Sequence, residues 1–449
     1  MIQKKSAAIQ KPKIVIIGGG VAGLKAALDL ATKEVEVTLL EARDRLGGRI
    51  YTIKANNGRT PIELGASYWE GLNESEFYQR YLESKTMRLD EKASSVMTLD
   101  RPPEADNLLA NYHDAQVMLV NAESTHAGST FAQFVAEKKP SYWVNRFLEN
   151  SLLHHCTPLD KGGFPLFKRQ PVPVGDAWNE KDADFCFVKG GYNQVIEQLT
   201  KECKEAGVKI SMSSTVTKIL DMGINGVKVA TQRTSFSANK VISTIPIGVL
   251  KNHAEKLFFP LLSKAKTDAL SMIGIHDATR VIVEFEGEPF WDNKDGPYLY
   301  LDSKDSPCLL EFRNAYPLTG KAILITGKYS DVARKLYTQF PDNAAHAEKL
   351  LGERVLSDLR KAFPHKEIPD PIQTTVYCWT QDPFAQGAYP YRTAAITEEI
   401  QQALEQPEGN VYFAGADFSR YGFSVHNAYA SGERVASEVY ELVQIKSQT

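Results

Sequence analysis

The clearest pattern of hydrophobic and polar positions lies near the start of the chain. Residues 13–17 form a short apolar run rich in β-branched side chains, and three glycines follow it directly. Residues 21–32 then place apolar side chains at helical spacing, and residues 35–40 form a second apolar run. A helix that joins two buried strands within about thirty residues is typical of a parallel sheet. We therefore predict a β-α-β unit here.

Farther along, the hydrophobic pattern alternates between strand and helix periods. The predicted strands are residues 208–219, 226–232, 240–244, 279–286, 321–328 and 410–413. The predicted helices are residues 76–84, 130–138, 261–272, 344–362 and 425–443. No internal repeat is visible.

Composition excludes several function classes. The 449 residues carry a net charge of −3, so neither a nucleic-acid partner nor a polybasic membrane patch is expected. The five cysteines are dispersed without C-x-x-C spacing, which argues against a disulfide framework and against a metal site. The first twelve residues lack the apolar stretch of a secretory signal, and no apolar run is long enough to span a bilayer. We expect a cytoplasmic protein without a membrane anchor.

Residues 18–23 match the pattern G-x-G-x-x-G between the first strand and the first helix. Gly18 permits a tight turn, Gly20 lets the backbone approach a pyrophosphate, and Ala22 and Gly23 lie where the helix packs on the strand. The free N–H groups of the helix N-terminus then face the phosphate. Glu41 follows 23 positions after Gly18, where a carboxylate accepts both hydroxyls of an adenosine ribose. The alternative is a glycine-rich turn followed by an unrelated surface carboxylate.

A second glycine pair follows in the segment RDRLGGRIYT, residues 43–52. Arg43, Gly48 and Arg49 are predicted to surround another side of the phosphates, which a nicotinamide site does not require. The alternative is a basic surface turn.

The pattern R-x-G-G-R-x-x-T after a dinucleotide fingerprint resembles the signature of the flavin-containing amine oxidase superfamily. That superfamily includes monoamine, polyamine and L-amino acid oxidases and lysine-specific histone demethylases. Further segments are similar to its motifs in the same order, and they lie at residues 63–71, 188–191, 243–251, 379–389, 413–415 and 424–428. The resemblance covers nearly the whole chain and is weakest over residues 80–185.

The resemblance implies an α/β fold with an α+β substrate part. In such a fold a Rossmann-type FAD-binding domain is interleaved with a substrate domain of mixed sheet and helices. We assign residues 12–75, 186–265 and 405–449 to the FAD-binding domain. Residues 76–185 and 266–404 are assigned to the substrate-binding domain.

The resemblance also adds residues that would bind FAD. Gly65, Ala66 and Ser67 match the loop beside the flavin, and Val216 matches a valine that holds the adenine. The other matching positions are Gly415, Asp417, Ser424 and Val425. The last helix would begin at Ser424 and Val425, and its positive end would favour negative charge on the reduced flavin. The neighbouring His426 is interpreted as part of a structural turn rather than as a base.

Four residues are predicted to form the catalytic pocket. Tyr389 matches the aromatic that stands against the flavin face and orients the amine. Trp379 matches a tryptophan near the flavin, although a core tryptophan is an equally good interpretation. Glu70 lies where polyamine oxidases carry Glu or His at the pocket entrance. Arg280 occupies the place of the lysine that is hydrogen-bonded through water to flavin N5.

Three departures from the family pattern affect these expectations. The lysine is replaced by Arg280, whose planar guanidinium does not substitute for an ammonium. The glutamate of F-A-G-E is replaced by Ala416, and Asp417 follows one position later. Ala388 stands where monoamine oxidases have the cysteine that links the flavin, so FAD is predicted to be bound non-covalently.

The predicted function is FAD-dependent oxidation of a polyamine-like or monoamine-like substrate. Hydride passes to flavin N5, the resulting imine is hydrolysed, and O2 or another acceptor reoxidises the flavin. One alternative is an L-amino acid oxidase or a related flavin oxidoreductase or desaturase. A different class is a catalytically idle FAD-binding scaffold, which the loss of the lysine at Arg280 favours.

Overall fold

The computed structural model describes residues 11–71, 75–87, 95–98, 125–154, 159–164, 184–292, 294–303 and 309–448, with positions 111, 114, 115, 117–119 and 122. The described residues form two compact units. Unit 1 contains those of Met1–Gly48, Val195–Thr267 and Gln402–Thr449. Unit 2 contains those of Arg49–Gln194 and Asp268–Gln401. Both units are therefore built from separated stretches of chain.

The helices of the described residues, in chain order, are α1 (Val21–Ala31), α2 (Glu76–Tyr81), α3 (Phe131–Lys138), α4 (Tyr142–His154), α5 (Asn193–Glu205), α6 (Ile247–Leu257), α7 (Lys264–Met272), α8 (Tyr316–Thr319), α9 (Ser330–Gln339), α10 (Ala344–Ala362), α11 (Glu398–Glu405) and α12 (Val425–Gln448). Within the part of the chain that the structure describes, none of them is long and apolar enough to cross a membrane.

The strands of the described residues, in chain order, are β1 (Lys13–Ile17), β2 (Glu36–Leu40), β3 (Thr52–Lys54), β4 (Pro61–Glu63), β5 (Tyr68–Gly71), β6 (Thr86–Met87), β7 (Ser95–Thr98), β8 (Asp184–Val188), β9 (Lys209–Ser211), β10 (Val216–Asp221), β11 (Val227–Thr231), β12 (Ser235–Ala238), β13 (Lys240–Ser243), β14 (Phe258–Phe259), β15 (Ile273–His276), β16 (Thr279–Glu284), β17 (Tyr298–Asp302), β18 (Leu310–Asn314), β19 (Ile323–Thr326), β20 (Gln373–Cys378), β21 (Tyr389–Arg392) and β22 (Val411–Phe413).

Unit 1 is organised around a parallel sheet of five strands in the order β22-β13-β1-β2-β9. Its centre is the predicted β-α-β unit, in which Ile14 lies opposite Val37 and Ile16 opposite Leu39. Helix α1 is buried along most of its length because α12 packs closely against it. A Cβ on Gly432 would lie only 2.3 Å from the carbonyl oxygen of Ala22, so this helix crossing requires a glycine.

A second sheet of unit 1 has the order β12-β11-β10-β14. The predicted apolar run 208–219 is split between the two sheets, because β9 joins the parallel sheet and β10 joins this one. Ser213 separates them with a left-handed φ of 50°. Its N–H donates to the carbonyl of Arg43, and the N–H of Ser214 donates to that of Glu41. The turn thus continues the backbone pairing of the parallel sheet.

Unit 2 contains a sheet of six strands in the order β20-β16-β19-β18-β17-β7. Neighbouring strands are antiparallel except for β17 and β7, which are parallel. One face of the sheet packs against α10, where Val281, Leu324, Leu351 and Val355 share a buried cluster. The unit therefore has an α+β core of its own.

The structure places residues 49–75 and 186–194 in unit 2, whereas we assigned them to the FAD-binding domain. Strands β3 and β4 form a hairpin, and Ile62 and Leu64 share a buried cluster with Ile282 of the six-stranded sheet. Strand β5 pairs with β8 in another sheet of unit 2. Through these long-range contacts, the first stretch of unit 1 ends at Gly48, whereas the assigned FAD-binding domain extends to residue 75.

Candidate functional site

In unit 1 the glycine-rich turn is held by contacts that leave no room for side chains. Gly18 has a left-handed φ of 105°, and a Cβ there would lie 2.2 Å from the Oγ1 of Thr244. A Cβ on Gly23 would lie 2.0 Å from the carbonyl oxygen of Gly18. Both glycines are therefore required by the packing of the turn.

The N-terminus of α1 presents a surface without side chains. No side chain caps its first turn at Gly20, so its N–H groups stay available to a ligand. Gly48 lies beside it, since a Cβ on Gly48 would be 3.5 Å from the Cα of Gly20. The guanidinium of Arg45 donates to the carbonyl of Gly48 at 3.1 Å and fixes this second loop. Uncapped N–H groups and a positive helix end are suited to a phosphate.

Glu41 joins these two loops. Its side chain is buried, its Oε2 accepts the N–H of Gly19 at 2.7 Å, and its Oε1 accepts the N–H of Arg43 at 2.8 Å. Each carboxylate oxygen accepts more than one hydrogen bond, so capacity for a ligand hydroxyl remains. Val216 follows the turn that pairs with the backbone of Glu41 and begins β10.

Two further predicted residues of unit 1, Gly415 and Asp417, follow the edge strand β22 and form hydrogen bonds within the protein. Gly415 has a φ of 131° and donates its N–H to the Oγ of Ser431 at 3.0 Å. The buried carboxylate of Asp417 accepts the N–H of Ile247 at 2.9 Å, at the start of α6. Asp417 therefore stabilises a helix N-terminus, a contact that the sequence did not suggest.

At the start of α12, the hydroxyl of Ser424 lies beside a buried imidazole and a buried side-chain amide. The Oγ of Ser424 accepts the side-chain N–H of Asn427 at 2.8 Å and lies 2.9 Å from Nδ1 of His426. Val425 is the first helical residue. Burial lowers the pKa of His426 to about 4, so the imidazole is neutral near pH 7. This environment supports a structural role for His426. The Oδ1 of Asn427 is buried without a hydrogen-bond partner.

In unit 2, the loop after β4 passes very close to another backbone segment. A Cβ on Gly65 would lie 1.9 Å from the carbonyl oxygen of Arg49, which also accepts the N–H of Ala66 at 3.2 Å. The indole Nε1 of Trp379 donates to the carbonyl of Leu64 at 2.8 Å. Trp379 is only 2% exposed, and its hydrogen bond positions this loop.

Arg280 and Ser67 both contact the carbonyl of Gly65. The Nη2 of Arg280 donates to it at 3.4 Å, and the Oγ of Ser67 donates at 3.0 Å. Glu70 lies on β5 opposite Phe185, and its side chain is outside the described part of the chain.

Tyr389 begins β21 and pairs with His276 of β15. Its half-buried ring packs against the cluster that contains Trp379 and Ala388. The Nη1 of Arg49 donates to the carbonyl of Ala388 at 2.7 Å, which fixes the backbone just before the tyrosine. Unit 2 thus brings Arg49, Gly65, Trp379, Arg280 and Tyr389 into one set of contacts.

Comparison with known proteins adds the family. The family model described as flavin containing amine oxidoreductase matches residues 21–440. The chain belongs to this family. It is 27% identical to a probable polyamine oxidase 4 of Arabidopsis thaliana, over 94% of this chain and 86% of that protein. It is also 27% identical to a lysine-specific histone demethylase 1 homolog of the same plant, over 98% of this chain and 53% of that protein.

The flavin implied by this family fits the described residues of unit 1. Gly20 and Gly48 leave a bare surface at an uncapped helix N-terminus, as a dinucleotide pyrophosphate requires. The unpartnered Oδ1 of Asn427 is an acceptor that an N–H of a bound group would satisfy. These residues, together with Glu41, would hold the cofactor.

Two buried charges near the Gly65 loop were missed from the sequence. Glu63 is 6% exposed, and its carboxylate accepts the N–H of Tyr192 at 2.6 Å and the hydroxyl of Thr52 at 3.0 Å. Burial raises its pKa to about 7. Arg313 lies in β18, where every residue is buried. The sequence contains no clear signal, because residues 310–314 read LEFRN and alternate apolar and polar side chains, as a strand with one solvent-facing side does.

We expect Glu63→Gln to change how stability depends on pH. The folded-state pKa of about 7 lies above the ordinary value of 4.5, so the contribution of Glu63 is fully present below pH 4.5 and is lost as pH rises through 7. Between pH 5 and pH 8 the wild type should lose up to about 3 kcal/mol of unfolding free energy that the variant keeps. Urea denaturation at several pH values measures this difference. The exposed Glu353→Gln serves as control, and parallel curves for wild type and Glu63→Gln would contradict the expectation.

Proposed function

We propose that this chain oxidises an amine, polyamine-like or monoamine-like, with non-covalently bound FAD. The observation that carries the proposal is the set of contacts around Gly65 in unit 2. Trp379 and Arg280 donate to the carbonyls of the Gly65 loop, and Arg49 holds the backbone before Tyr389. Residues from four segments of the chain thereby fix the position of the half-buried ring of Tyr389.

The reaction removes a hydride from the carbon beside the nitrogen. The C–H bond breaks with both electrons, the nitrogen lone pair forms a C=N bond, and water then cleaves the imine to a carbonyl compound and an amine. FAD, when bound, supplies the acceptor for the hydride and passes the two electrons to O2 or another acceptor.

The protein residues would act by positioning and desolvation. The ring of Tyr389 offers an apolar wall against which the neutral amine can be oriented, and the packing of Trp379 behind it prevents the wall from moving. Glu41 and the glycines of unit 1 would bind the dinucleotide. Ala388 carries no thiol, which supports attachment of the flavin without a covalent bond.

We expect Glu41→Ala to purify with little FAD. The change removes a carboxylate that binds two loop N–H groups, and each charge-assisted hydrogen bond contributes about 1.5–3 kcal/mol. Acid precipitation followed by absorbance of the supernatant gives the FAD content per protein. The exposed neighbour Asp44→Ala should retain full content. An unchanged FAD content of Glu41→Ala would show that Glu41 does not bind the cofactor. Yellow colour left in the wild-type pellet would contradict non-covalent binding.

The activity is tested by anaerobic flavin reduction with polyamines, monoamines and amino acids. At least one amine should bleach the wild-type flavin, and Tyr389→Ala should slow that bleaching by roughly 100-fold, since misplaced reacting atoms cost about that factor. FAD content should not change. Tyr389→Phe keeps the ring and should stay within about tenfold of wild type. If no amine bleaches the flavin, the chain is an FAD-binding scaffold; if FAD content falls with the rate, Tyr389 is a core residue.

We further propose that Arg280 slows the reaction of the reduced enzyme with O2. It replaces the lysine of the family pattern, and its guanidinium contacts the carbonyl of Gly65. Stopped-flow mixing with air-saturated buffer should show slow return of the oxidised spectrum, which Arg280→Lys accelerates at least about tenfold without changing anaerobic reduction. Arg334→Lys, an exposed substitution in the same unit, is the control. Equal oxygen rates for wild type and Arg280→Lys would disprove this role.

A further inference from the structure

Strands β15 and β21 of unit 2 form a two-stranded ribbon that carries Tyr389 at one end. His276, the last residue of β15, lies directly opposite Tyr389, the first residue of β21. Directly opposed side chains project from the same face of an antiparallel pair, and their Cβ atoms lie about 4.5–5.5 Å apart. Both residues are half-buried. The imidazole of His276 therefore flanks the tyrosine ring to which we assign the orientation of the amine.

A glycine lets a second tyrosine pack onto the same face of the ribbon. Gly274 lies opposite Tyr391, and residues two apart on a strand share a face. A Cβ on Gly274 would lie only 1.9 Å from Cζ of Tyr391, so this ring packs directly onto the backbone of β15. The buried Tyr391 thereby closes one side of the face, beside the half-buried His276 and Tyr389.

The imidazole of His276 is held in one tautomer. Its Nδ1 is hydrogen-bonded to the carbonyl of Asp277. A carbonyl oxygen only accepts, so Nδ1 carries the proton and Nε2 of the neutral ring is an acceptor. No described residue forms a hydrogen bond with Nε2. Nε2 is therefore available to a ligand that donates an N–H.

The surroundings of His276 keep the ring neutral near pH 7. Asp277, Asp331 and Lys328 are the charged groups that act on it. Burial has a larger effect than any of them and lowers the pKa of His276 below its ordinary value of 6.5. The carboxylates of Asp277 and Asp331 both bind Arg334, at 3.1 and 2.7 Å. These two acceptors are thus occupied by a cation of the protein, whereas Nε2 of His276 is not.

An acceptor beside Tyr389 is suited to the charge that develops in the proposed reaction. When hydride leaves the carbon, the nitrogen lone pair forms the C=N bond and the nitrogen becomes positively charged. Its N–H group then donates a much stronger hydrogen bond than the N–H of the neutral amine. An acceptor for this N–H binds the transition state more tightly than the substrate, which is the condition for accelerating the reaction.

We propose that Nε2 of His276 accepts a hydrogen bond from the substrate nitrogen and takes its proton as the C=N bond forms. The N–H bond breaks, its electron pair stays on nitrogen, and a neutral imine and an imidazolium result. The imidazolium then loses its proton to water. His276 is thus a catalytic residue that the sequence did not suggest. This role rests on the proposed amine oxidation.

The test measures anaerobic flavin reduction at increasing concentrations of benzylamine and of putrescine, which separates the limiting rate constant from the dissociation constant of the amine. His276→Leu should lower the limiting rate constant about 10- to 100-fold, the equivalent of one hydrogen bond to a charged group, and leave the dissociation constant within about threefold. His276→Gln can accept the hydrogen bond but not the proton, so its rate constant should fall between. His365→Leu, at an exposed histidine of the same unit, is the matched control and should behave as the wild type.

The pH dependence distinguishes a catalytic imidazole from a structural one. The limiting rate constant of the wild type should fall as pH decreases through the pKa of His276, because the protonated ring has no acceptor. His276→Gln should lack this loss, since its amide does not titrate. An identical pH profile for the two proteins would contradict the proposal.

A second measurement does not require turnover. The probe 2-phenylpropan-2-amine has no hydrogen on the carbon beside its nitrogen, so it can bind but cannot be oxidised. In protein with 15N-labelled histidine, the probe should shift the Nε2 resonance of His276, which is assigned by its absence from the spectrum of His276→Gln. The isosteric tert-butylbenzene has no N–H to donate and should leave this resonance unchanged.

The outcomes separate this proposal from the proposed function. If no amine reduces the flavin, amine oxidation is disproved together with the step assigned to His276. If amines reduce the flavin but His276→Leu keeps the wild-type rate constant, or the probe leaves Nε2 unshifted, amine oxidation stands and the role of His276 is disproved. A lowered melting temperature of His276→Leu would reveal a folding defect, and in that case the pH profile of His276→Gln and the Nε2 shift decide.

Discussion

Gly65 approaches the carbonyl of Arg49 so closely that no side chain fits between them, and the site in unit 2 depends on this contact. The approach brings the carbonyls of Leu64 and Gly65 within reach of Trp379 and Arg280. Arg49 in turn fixes the backbone before Tyr389. Because these bonds share one short loop, displacing the loop would disturb every residue that we assign to substrate positioning.

Close backbone approach at glycines also shapes the proposed cofactor site of unit 1. The absence of side chains at Gly18, Gly20 and Gly48 lets two loops approach each other. The buried carboxylate of Glu41 accepts hydrogen bonds from the N–H groups of Gly19 and Arg43. What remains exposed is a helix N-terminus with no cap of its own. Because hydrogen bonds within the protein already hold the loops of this site, less entropy is lost when a cofactor is bound.

The parts predictable from sequence were those specified by local pattern. The β-α-β unit, the glycine turn and Glu41 lie within about thirty residues, where periodicity and spacing are sufficient. The assigned domain boundary at residue 75 differs from the unit boundary at Gly48, because Ile62 and Leu64 pack with Ile282, more than two hundred residues later. Trp379 shows the same limit, since its hydrogen bond to Leu64 spans 315 positions and no local pattern encodes it.

The buried charges of unit 2 are stabilised in two different ways. Arg146 is neutralised by carboxylates of the protein and contributes to folding, whereas the guanidinium of Arg313 lies over two aromatic rings. Glu63 is near enough to favour the charged form of Arg313, yet the two form no ion pair. Burial disfavours the charge of each group, and the opposite charge of the other offsets part of that cost across the cavity that both line, so neither residue can be replaced without changing the pKa of the other.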